Sequence, residues 1–357
     1  MTEQGLFGNP ASTTHGFGWQ AAEEVEWARE VIADTLGADP REIVFTSGAT
    51  EANNLAIRGA FEALSGARQR RRIITLASEH KAVLDTVAQL PDADVLGSTP
   101  ESDGLIDFEA LDQALTHDTL LVSVMRVNNE TGVIQPLEEI SRRVHAVGAL
   151  MHSDMAQSVG KASVDVRALG VDLASLSAHK IYGPKGVGAL YVRRSPEVSI
   201  SEQQHGGGHE RGMRSGTLPT HQIVGMAEAF RLSSMESEAD AERISGYRAR
   251  FLAACDTLGG IEVNGVLGAP HILNIRVEGV EAEPLMAAMP EIAISTGSAC
   301  NSATLEPSHV LQSMGLSREE GLCSLRLSFG RMTQEESIDT LIHVFQHAVE
   351  GLRGKRV

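Results

Sequence analysis

Short apolar segments alternate with segments of helical periodicity through the first half of the chain, and this alternation constrains the fold more than any other feature. Strands joined by helices form mainly parallel sheets through right-handed crossovers, with functional loops at the carboxyl ends of the strands. Five such strands are predicted, over residues 42–46, 73–77, 120–125, 150–152 and 171–176, and a turn followed by a glycine-rich strand entry is predicted at 186–192. The sequence therefore predicts a large α/β domain with a mainly parallel sheet.

The pattern changes after Val192, where a glycine-rich loop is followed by two helices and a smaller α/β unit. The two helices are predicted over 221–233 and 237–258, the later strands over 272–277, 292–296 and 324–329, and the later helices over 283–289 and 335–352. We therefore predict a large domain over residues 1–236 and a small C-terminal domain over residues 237–357.

Composition excludes several classes of protein. The 357 residues carry a net charge of −17, so direct nucleic acid binding is not expected. No apolar run is long enough to span a bilayer and no signal-peptide pattern is seen, so we expect a cytoplasmic protein without a membrane segment. The three cysteines, Cys255, Cys300 and Cys323, form neither a disulfide framework nor a zinc pattern.

Polar residues follow the predicted strands at the edge where the loops of such a sheet meet. His80, Asn129, Asp154 and Lys180 each come shortly after a strand. A lysine forms an imine only where burial or a nearby positive charge helps its ammonium to lose a proton. We interpret Lys180 as the residue that holds pyridoxal phosphate, and the alternative is a strand-end lysine that extends to water.

A turn of small residues, 47–50, joins a predicted strand to a predicted helix. Its free backbone N–H groups and the positive end of the helix dipole suit a phosphate, beside Ala49 and Thr50. Ser177 and His179 could donate further hydrogen bonds to that phosphate. The alternative is an ordinary loop in which a hydroxyl side chain caps the helix.

Three further side chains fit a pyridoxal phosphate site. A buried carboxylate keeps the pyridine nitrogen protonated, and Asp154 is the candidate, although an aspartate after a strand is also a common turn former. Gln157 could bond to the ring hydroxyl or lie on the surface. His80 could stack on the ring and exchange protons, or simply begin a helix.

Two residues of the C-terminal region complete the candidates. Arg326 lies within an apolar strand, where its charge needs a partner, either a substrate carboxylate or a structural ion pair. Cys300 lies in a small polar stretch that should expose its thiol and let it move. Cys255 and Cys323 lie in helical and strand patterns and are predicted to be structural.

Eight ordered motifs together resemble the NifS/IscS-type cysteine desulfurases, which belong to the class V aminotransferases. They are FGNPAS at Phe7–Ser12, TSGATEANN at Thr46–Asn54, SEHKAV at Ser78–Val83, VNNETG at Val127–Gly132, HSDMAQSVG at His152–Gly160, SAHKIYGPKGVG at Ser177–Gly188, GGGHERGMRSGTLP at Gly206–Pro219, and Ser295–Ser308. The resemblance implies the type I fold of pyridoxal phosphate-dependent transferases, similar to aspartate aminotransferase. It also implies a homodimeric enzyme that takes sulfur from L-cysteine and releases L-alanine.

The resemblance further implies a role for each matching residue. Those around the cofactor are Lys180, which bonds to it, Asp154 at the pyridine nitrogen, Gln157 at the ring hydroxyl, His80 stacked on the ring as a proton shuttle, and Ala49, Thr50, Ser177, His179 and Thr217 of the partner subunit at the phosphate. The substrate carboxylate is bound by Arg326 and Asn129. Asn129 also borders the cofactor. Cys300 attacks the substrate sulfur and becomes a persulfide, and it is the one residue that could serve as a transient iron–sulfur ligand.

Two features depart from the family pattern. The sequence begins without the leading segment that bears the family's Leu-Asp-Tyr and Ala-Thr-Thr-Pro signatures, and Met155 replaces the usual small residue after the aspartate. We expect the first difference to affect cofactor closure, dimer stability or turnover.

The sulfur acceptor would be an iron–sulfur scaffold, a thiolation protein or another protein. The alternative functions are a selenocysteine lyase and a catalytically weakened homologue that acts as a binding partner.

Overall fold

The computed structural model describes residues 7–296 and 307–354. Contacts divide the chain into two units. The first takes the chain up to Ser98, Phe108–Arg126 and Pro136–Glu236, and the second takes Thr99–Asp107, Val127–Gln135 and the chain from Ser237 onward. The second unit therefore includes two short segments from the first half of the sequence.

A seven-stranded sheet is the framework of the first unit. Its strands are β1 (Ile43–Thr46), β2 (Arg72–Leu76), β3 (Asp94–Ser98), β4 (Thr119–Ser123), β5 (Leu150–Asp154), β6 (Leu173–Ser177) and β7 (Gly188–Val192). Their order is β1-β7-β6-β5-β4-β2-β3. The run from β6 to β3 is parallel throughout, whereas β7 is antiparallel to β1 and to β6. The prediction of a mainly parallel sheet is confirmed.

The helices of the first unit follow the strands as the alternating pattern predicts. They are α1 (Gly16–Leu36), α2 (Ala49–Arg68), α3 (Lys81–Ala88), α4 (Phe108–Ala114), α5 (Leu137–Ala146) and the first part of α6 (Thr220–Asp256), with short 3-10 helices at Pro40–Glu42, Ala178–Ile181 and Glu210–Gly212. The division between the two units at Glu236 falls inside α6.

Burial accounts for the position of the central elements. Every residue of β4, β5 and β6 is buried, as expected for parallel strands that are covered on both faces. Helix α2 contributes Ala52, Leu55 and Ala56 to the core that also contains Val44 of β1 and Leu190 of β7. Helix α2 therefore packs against this sheet, on β6 and β7 as well as on β1.

The second unit contains a three-stranded antiparallel sheet in the order β10-β9-β8. Its elements are β8 (Ile261–Val263), β9 (Ile272–Val277), α7 (Ala282–Ala287), α8 (His309–Ser313), α9 (Arg318–Leu322), β10 (Ser324–Ser328) and α10 (Glu335–Gly354). Its core joins β9 and β10 to α10 and to the last part of α6. The rings of Phe251 and Phe345 meet there edge to face, with centroids 5.1 Å apart.

Two predicted elements differ from the structure. The helices predicted at 221–233 and 237–258 form the single helix α6, because the sequence between Met226 and Ser245 contains neither glycine nor proline to interrupt it. The strand predicted at 292–296 does not form, and Ser295 makes an isolated bridge to Arg326. The apolar side chains that suggested that strand, Ile292 and Ile294, pack partly buried against the core of the second unit.

Strands β3 and β8 are additional elements that the sequence pattern did not predict. Within the described ranges, no helix combines the length and the apolar composition that are needed to cross a bilayer.

Candidate active site

Gly188 brings two loops of the first unit to the same end of the sheet. It is the first residue of β7, and it pairs with Thr46 at the end of β1 and with Ser177 at the end of β6. A Cβ atom at this position would lie 2.4 Å from the carbonyl oxygen of Leu176 and 2.6 Å from Cα of Gly48. Glycine therefore allows the turn after β1 and the turn after β6 to lie side by side.

The turn after β1 presents the start of α2, a helix of 20 residues. The N-cap is Gly48, so the alternative of a hydroxyl side chain as the cap is wrong. Thr50 is exposed in the first helical turn, and Ala49 begins the helix. Arg214 lies 2.7 Å from the Glu51 carboxylate and offsets its negative charge. An exposed hydroxyl at the positive end of a helix dipole suits a phosphate.

Asp154 supplies a carboxylate that is held in place at the end of β5. Its Oδ2 accepts a hydrogen bond of 2.7 Å from Nδ2 of Asn53 on α2, and its Oδ1 accepts one of 2.9 Å from the backbone N–H of Ala156. Asp154 is only 6% exposed and Asn53 is fully buried. Because both oxygens are held, the carboxylate keeps one orientation toward a ligand at this end of the sheet.

Lys180 lies in the 3-10 turn directly after β6. Its side chain is exposed, so burial does not supply the activation that an imine-forming lysine needs. Lys161 is close enough for repulsion between the two lysine charges. Partial burial and then the Lys180 charge lower the pKa of His179, whose Nδ1 lies 3.4 Å from Oγ of Ser177.

His80 and Glu79 follow β2. His80 is the N-cap of α3, and its Nδ1 accepts a hydrogen bond of 3.0 Å from the backbone N–H of Ala82, as the helix-start alternative expects. A neutral His80 ring then carries its hydrogen on Nε2. Glu79 is fully buried, and its Oε1 accepts a hydrogen bond of 2.6 Å from the backbone N–H of Met125. Burial, assisted by the charge of Asp154, raises the pKa of Glu79 well above its usual value.

Asn129 and Arg326 both belong to the second unit, where they contact each other. Nη1 of Arg326 donates a hydrogen bond of 3.2 Å to the backbone carbonyl oxygen of Asn129. Burial lowers the pKa of Arg326, and the charge of Glu130 opposes this effect. The structure therefore brings together the two residues that the sequence assigns to a substrate carboxylate, and the charge of Glu130 acts on the Arg326 guanidinium.

The other predicted residues have simpler surroundings. Gln157 accepts a hydrogen bond of 3.2 Å from Nζ of Lys161, and Thr217 is exposed. Cys300 lies outside the described residues. Cys255 and Cys323 are both buried, and burial, with the charge of Asp256 adding, raises the pKa of Cys255 to about 12.

Asn53, Glu79 and Lys161 are polar residues near these candidates that the sequence analysis did not single out. The sequence gives a reason to single out two of these residues. Asn53 lies within the apolar face of α2, and Glu79 precedes His80 in the motif SEHKAV. Lys161 directly follows the motif that contains Asp154 and Gln157. A polar residue on a buried face needs a partner, and this rule could have identified Asn53.

The side chains of the first unit fit pyridoxal phosphate. A lysine suits its carbonyl carbon, a held and buried carboxylate suits its pyridine nitrogen, and a helix start with an exposed hydroxyl suits its phosphate. These three groups are Lys180, Asp154 and the start of α2, and they follow β6, β5 and β1 at one end of the sheet.

Nearly the whole chain matches a known family. The family described as Aminotransferase class-V matches residues 3–341, and the chain belongs to this family, whose cofactor is pyridoxal phosphate. More particularly, the cysteine desulfurase IscS of Vibrio vulnificus is 54% identical over 99% of this chain and 88% of its own length. The cysteine desulfurase IscS of Photorhabdus laumondii is 52% identical over the same shares.

A solved structure described as a NifS-like protein has the same fold. It superposes with a TM-score of 0.88 at 34% identity, covering 98% of this chain and 92% of that one. The resemblance to NifS/IscS-type cysteine desulfurases and the predicted fold class are confirmed.

Proposed function

We propose that this chain is a cysteine desulfurase that converts L-cysteine to L-alanine and receives the sulfur on Cys300 as a persulfide. One observation carries the proposal: Asp154, Lys180 and the start of α2 lie at one end of the sheet, in a chain whose relatives are cysteine desulfurases.

The residues of the first unit would hold the cofactor. When bound, pyridoxal phosphate supplies an electron sink for charge that develops on the substrate carbon atoms. Lys180 would bond to it, and the carboxylate of Asp154 would keep a proton on the ring nitrogen. The residues that would hold its phosphate are Ala49, Thr50, Ser177 and His179, joined by Thr217 of the partner subunit.

Two residues of the second unit would bind the substrate carboxylate. Arg326 offers a guanidinium, whose paired N–H groups match a carboxylate, and Asn129 lies in contact with it. His80 would move protons at its Nε2, because its Nδ1 is occupied by the backbone N–H of Ala82.

Cys300 would take the sulfur by nucleophilic attack. Its thiolate attacks the sulfur of L-cysteine, and a sulfur–sulfur bond forms while the Cβ–S bond of the substrate breaks. The electron pair stays on carbon, and uptake of one proton there gives L-alanine. The persulfide on Cys300 then passes its outer sulfur to a thiolate of an acceptor, which we propose to be an iron–sulfur scaffold or a thiolation protein.

A turnover assay with a thiol reductant tests the role of Cys300. Alanine and sulfide should form from L-cysteine with the unaltered protein, and Cys300→Ala should abolish sulfide release. Cys255→Ala is the matched control, because that thiol is buried and its pKa is raised to about 12, so turnover should persist. Unchanged turnover in Cys300→Ala would contradict the persulfide step.

The visible absorption of the bound cofactor tests Lys180. Lys180→Ala should remove the absorption band, whereas Lys185→Ala, which alters an exposed lysine of the following turn, should keep it. A band that persists in Lys180→Ala would show that another residue binds the cofactor.

The homodimer and the cytoplasmic location stay predictions. Light scattering during size-exclusion chromatography should give twice the chain mass of 38.1 kDa, and a mass of one chain would contradict the dimer.

A further inference from the structure

Lys161 and Gln157 form a pair on the loop that follows β5. Nζ of Lys161 lies 3.2 Å from Oε1 of Gln157, and both side chains are partly buried. Ser158 and Val159 between them are buried, and the backbone N–H of Lys161 donates a hydrogen bond of 3.1 Å to the carbonyl oxygen of Ser158. Lys161 and Gln157 therefore lie on a well-packed turn with a defined backbone.

Gly160 explains why this turn lies so close to α6. Its φ angle is +68°, in the left-handed region, and a Cβ atom there would lie 1.7 Å from Oγ of Ser233. Glycine is the residue that accepts both conditions. The backbone that carries Lys161 is thus held against a long helix, which limits the positions that its ammonium can reach.

The chemistry of an ammonium determines the orientation of the Gln157 amide. An ammonium donates hydrogen bonds and accepts none, so it can face only the oxygen end of the amide. The two ends of an amide are otherwise nearly alike in shape. With Oε1 turned to Lys161, Nε2 becomes the end that faces the other way, as a donor.

We propose that Lys161 is a positioning residue, whose ammonium fixes the Gln157 amide so that Nε2 donates to the ring oxygen of pyridoxal phosphate. The proposal rests on the proposed function, because it presumes that this loop borders the cofactor. It assigns Lys161 no contact with the substrate or the cofactor.

The charge state of Lys161 supports this role. Burial, and then the positive charge of Lys180, lower the pKa of Lys161 to about 8. The charge of Lys161 also acts on His179, together with the charges of Lys180 and Lys185. The ammonium form dominates below about pH 8, and a neutral amine is the weaker donor. The orientation of Gln157 should therefore be held more firmly below that pH.

Three variants distinguish the effect of the Lys161–Gln157 hydrogen bond from the effects of local charge and of side-chain packing. Lys161→Met removes the donor and keeps the length of the side chain. Lys161→Arg keeps a donor that does not titrate. Lys185→Met removes a lysine that acts on the same His179 but is exposed and lies on another turn, so it is the matched control.

Two measurements carry the test. Equilibrium dialysis should show about tenfold weaker retention of pyridoxal phosphate in Lys161→Met, with Lys161→Arg and Lys185→Met within about twofold of the unaltered protein. In the apoprotein, the side-chain NH₂ signal of ¹⁵N-labelled Gln157 should shift with a midpoint near pH 8. That shift should persist in Lys185→Met and disappear in both Lys161 variants.

The outcomes distinguish this inference from the proposed function. Equal cofactor retention in Lys161→Met and Lys185→Met would overturn the inference, as would a Gln157 signal that still titrates without Lys161. A normal cofactor spectrum with the expected Lys161 effects but no turnover of L-cysteine would count against the proposed function alone. A protein that binds no pyridoxal phosphate would overturn both.

Discussion

Replacing Glu210 by alanine should strongly destabilise the first unit, because it would leave Arg29 as a buried charge without its main partner. The two side chains form a bidentate pair with distances of 2.9 and 2.8 Å, at 2% exposure for Arg29 and 7% for Glu210. Nη1 of Arg29 also donates to the carbonyl oxygen of Ile43 at 2.7 Å, and Glu210 accepts from the backbone N–H of Phe45 at 2.7 Å. The pair therefore ties the loop at 206–219 to β1.

The magnitude follows from this burial. Removing one partner of a buried ion pair typically costs about 3–5 kcal/mol, because the remaining charge is desolvated without compensation. Arg29→Ala should cost a similar amount. The double variant should cost about 1–3 kcal/mol less than the sum of the two single changes, since it leaves neither charge buried alone.

Urea unfolding measured at neutral pH would give these free energies. Arg231→Ala is the matched control, because Arg231 pairs with Glu228 on the exposed side of α6 and should cost at most about 1 kcal/mol. A Glu210→Ala variant as stable as Arg231→Ala would refute the reasoning, and so would strict additivity in the double variant.

Three further predictions use contacts near the site. Asn53→Ala should weaken retention of pyridoxal phosphate about tenfold, because Asp154 loses a buried hydrogen-bond donor. Equilibrium dialysis should show no such change for Asn54→Ala. Equally weakened retention in the two variants would contradict the prediction. Gly160→Ala should lower the free energy of unfolding in urea by at least about 1–3 kcal/mol, because its φ is +68° and the added Cβ would also meet Oγ of Ser233. An unchanged midpoint would contradict this. Burial lowers the pKa of His152 from 6.5 to about 3, so stability should fall by about 1.4 kcal/mol per pH unit below pH 6.5, as the unfolded chain binds a proton that the folded chain does not. His152→Asn should reduce that slope between about pH 6 and pH 5, and an identical slope would place its source elsewhere.

Much of the fold was predictable because the sequence patterns that indicate its strands and helices each span only a few neighbouring residues. Fully buried strands such as β4 and β6 read as apolar runs, and amphipathic helices show their period within a few turns. The sequence pattern predicts two helices where α6 is continuous, because the middle of α6 is polar and lacks a clear apolar period. The strand at 292–296 was predicted wrongly, because its apolar residues pack into a core without forming a ladder.

The candidate site was predictable only in part. Asp154 and Lys180 stand out because each follows an apolar strand within a recognisable motif. The residues that hold such side chains in place by hydrogen bonds do not follow a strand within a motif, so the sequence pattern does not indicate them. Asn53 and Asp154 are 101 positions apart, and nothing local to either residue reports their hydrogen bond.

The sequence by itself determined the alternation of strands and helices, the family, and the residues that can do the chemistry. Tertiary structure alone decided that Gly188 lies between the ends of β1 and β6, that residues 127–135 join the second unit, and that Lys161 faces Gln157. The physical reason is the range of the interactions. Periodicity and turn preferences act between near neighbours, whereas burial and side-chain hydrogen bonds depend on which distant segments pack together.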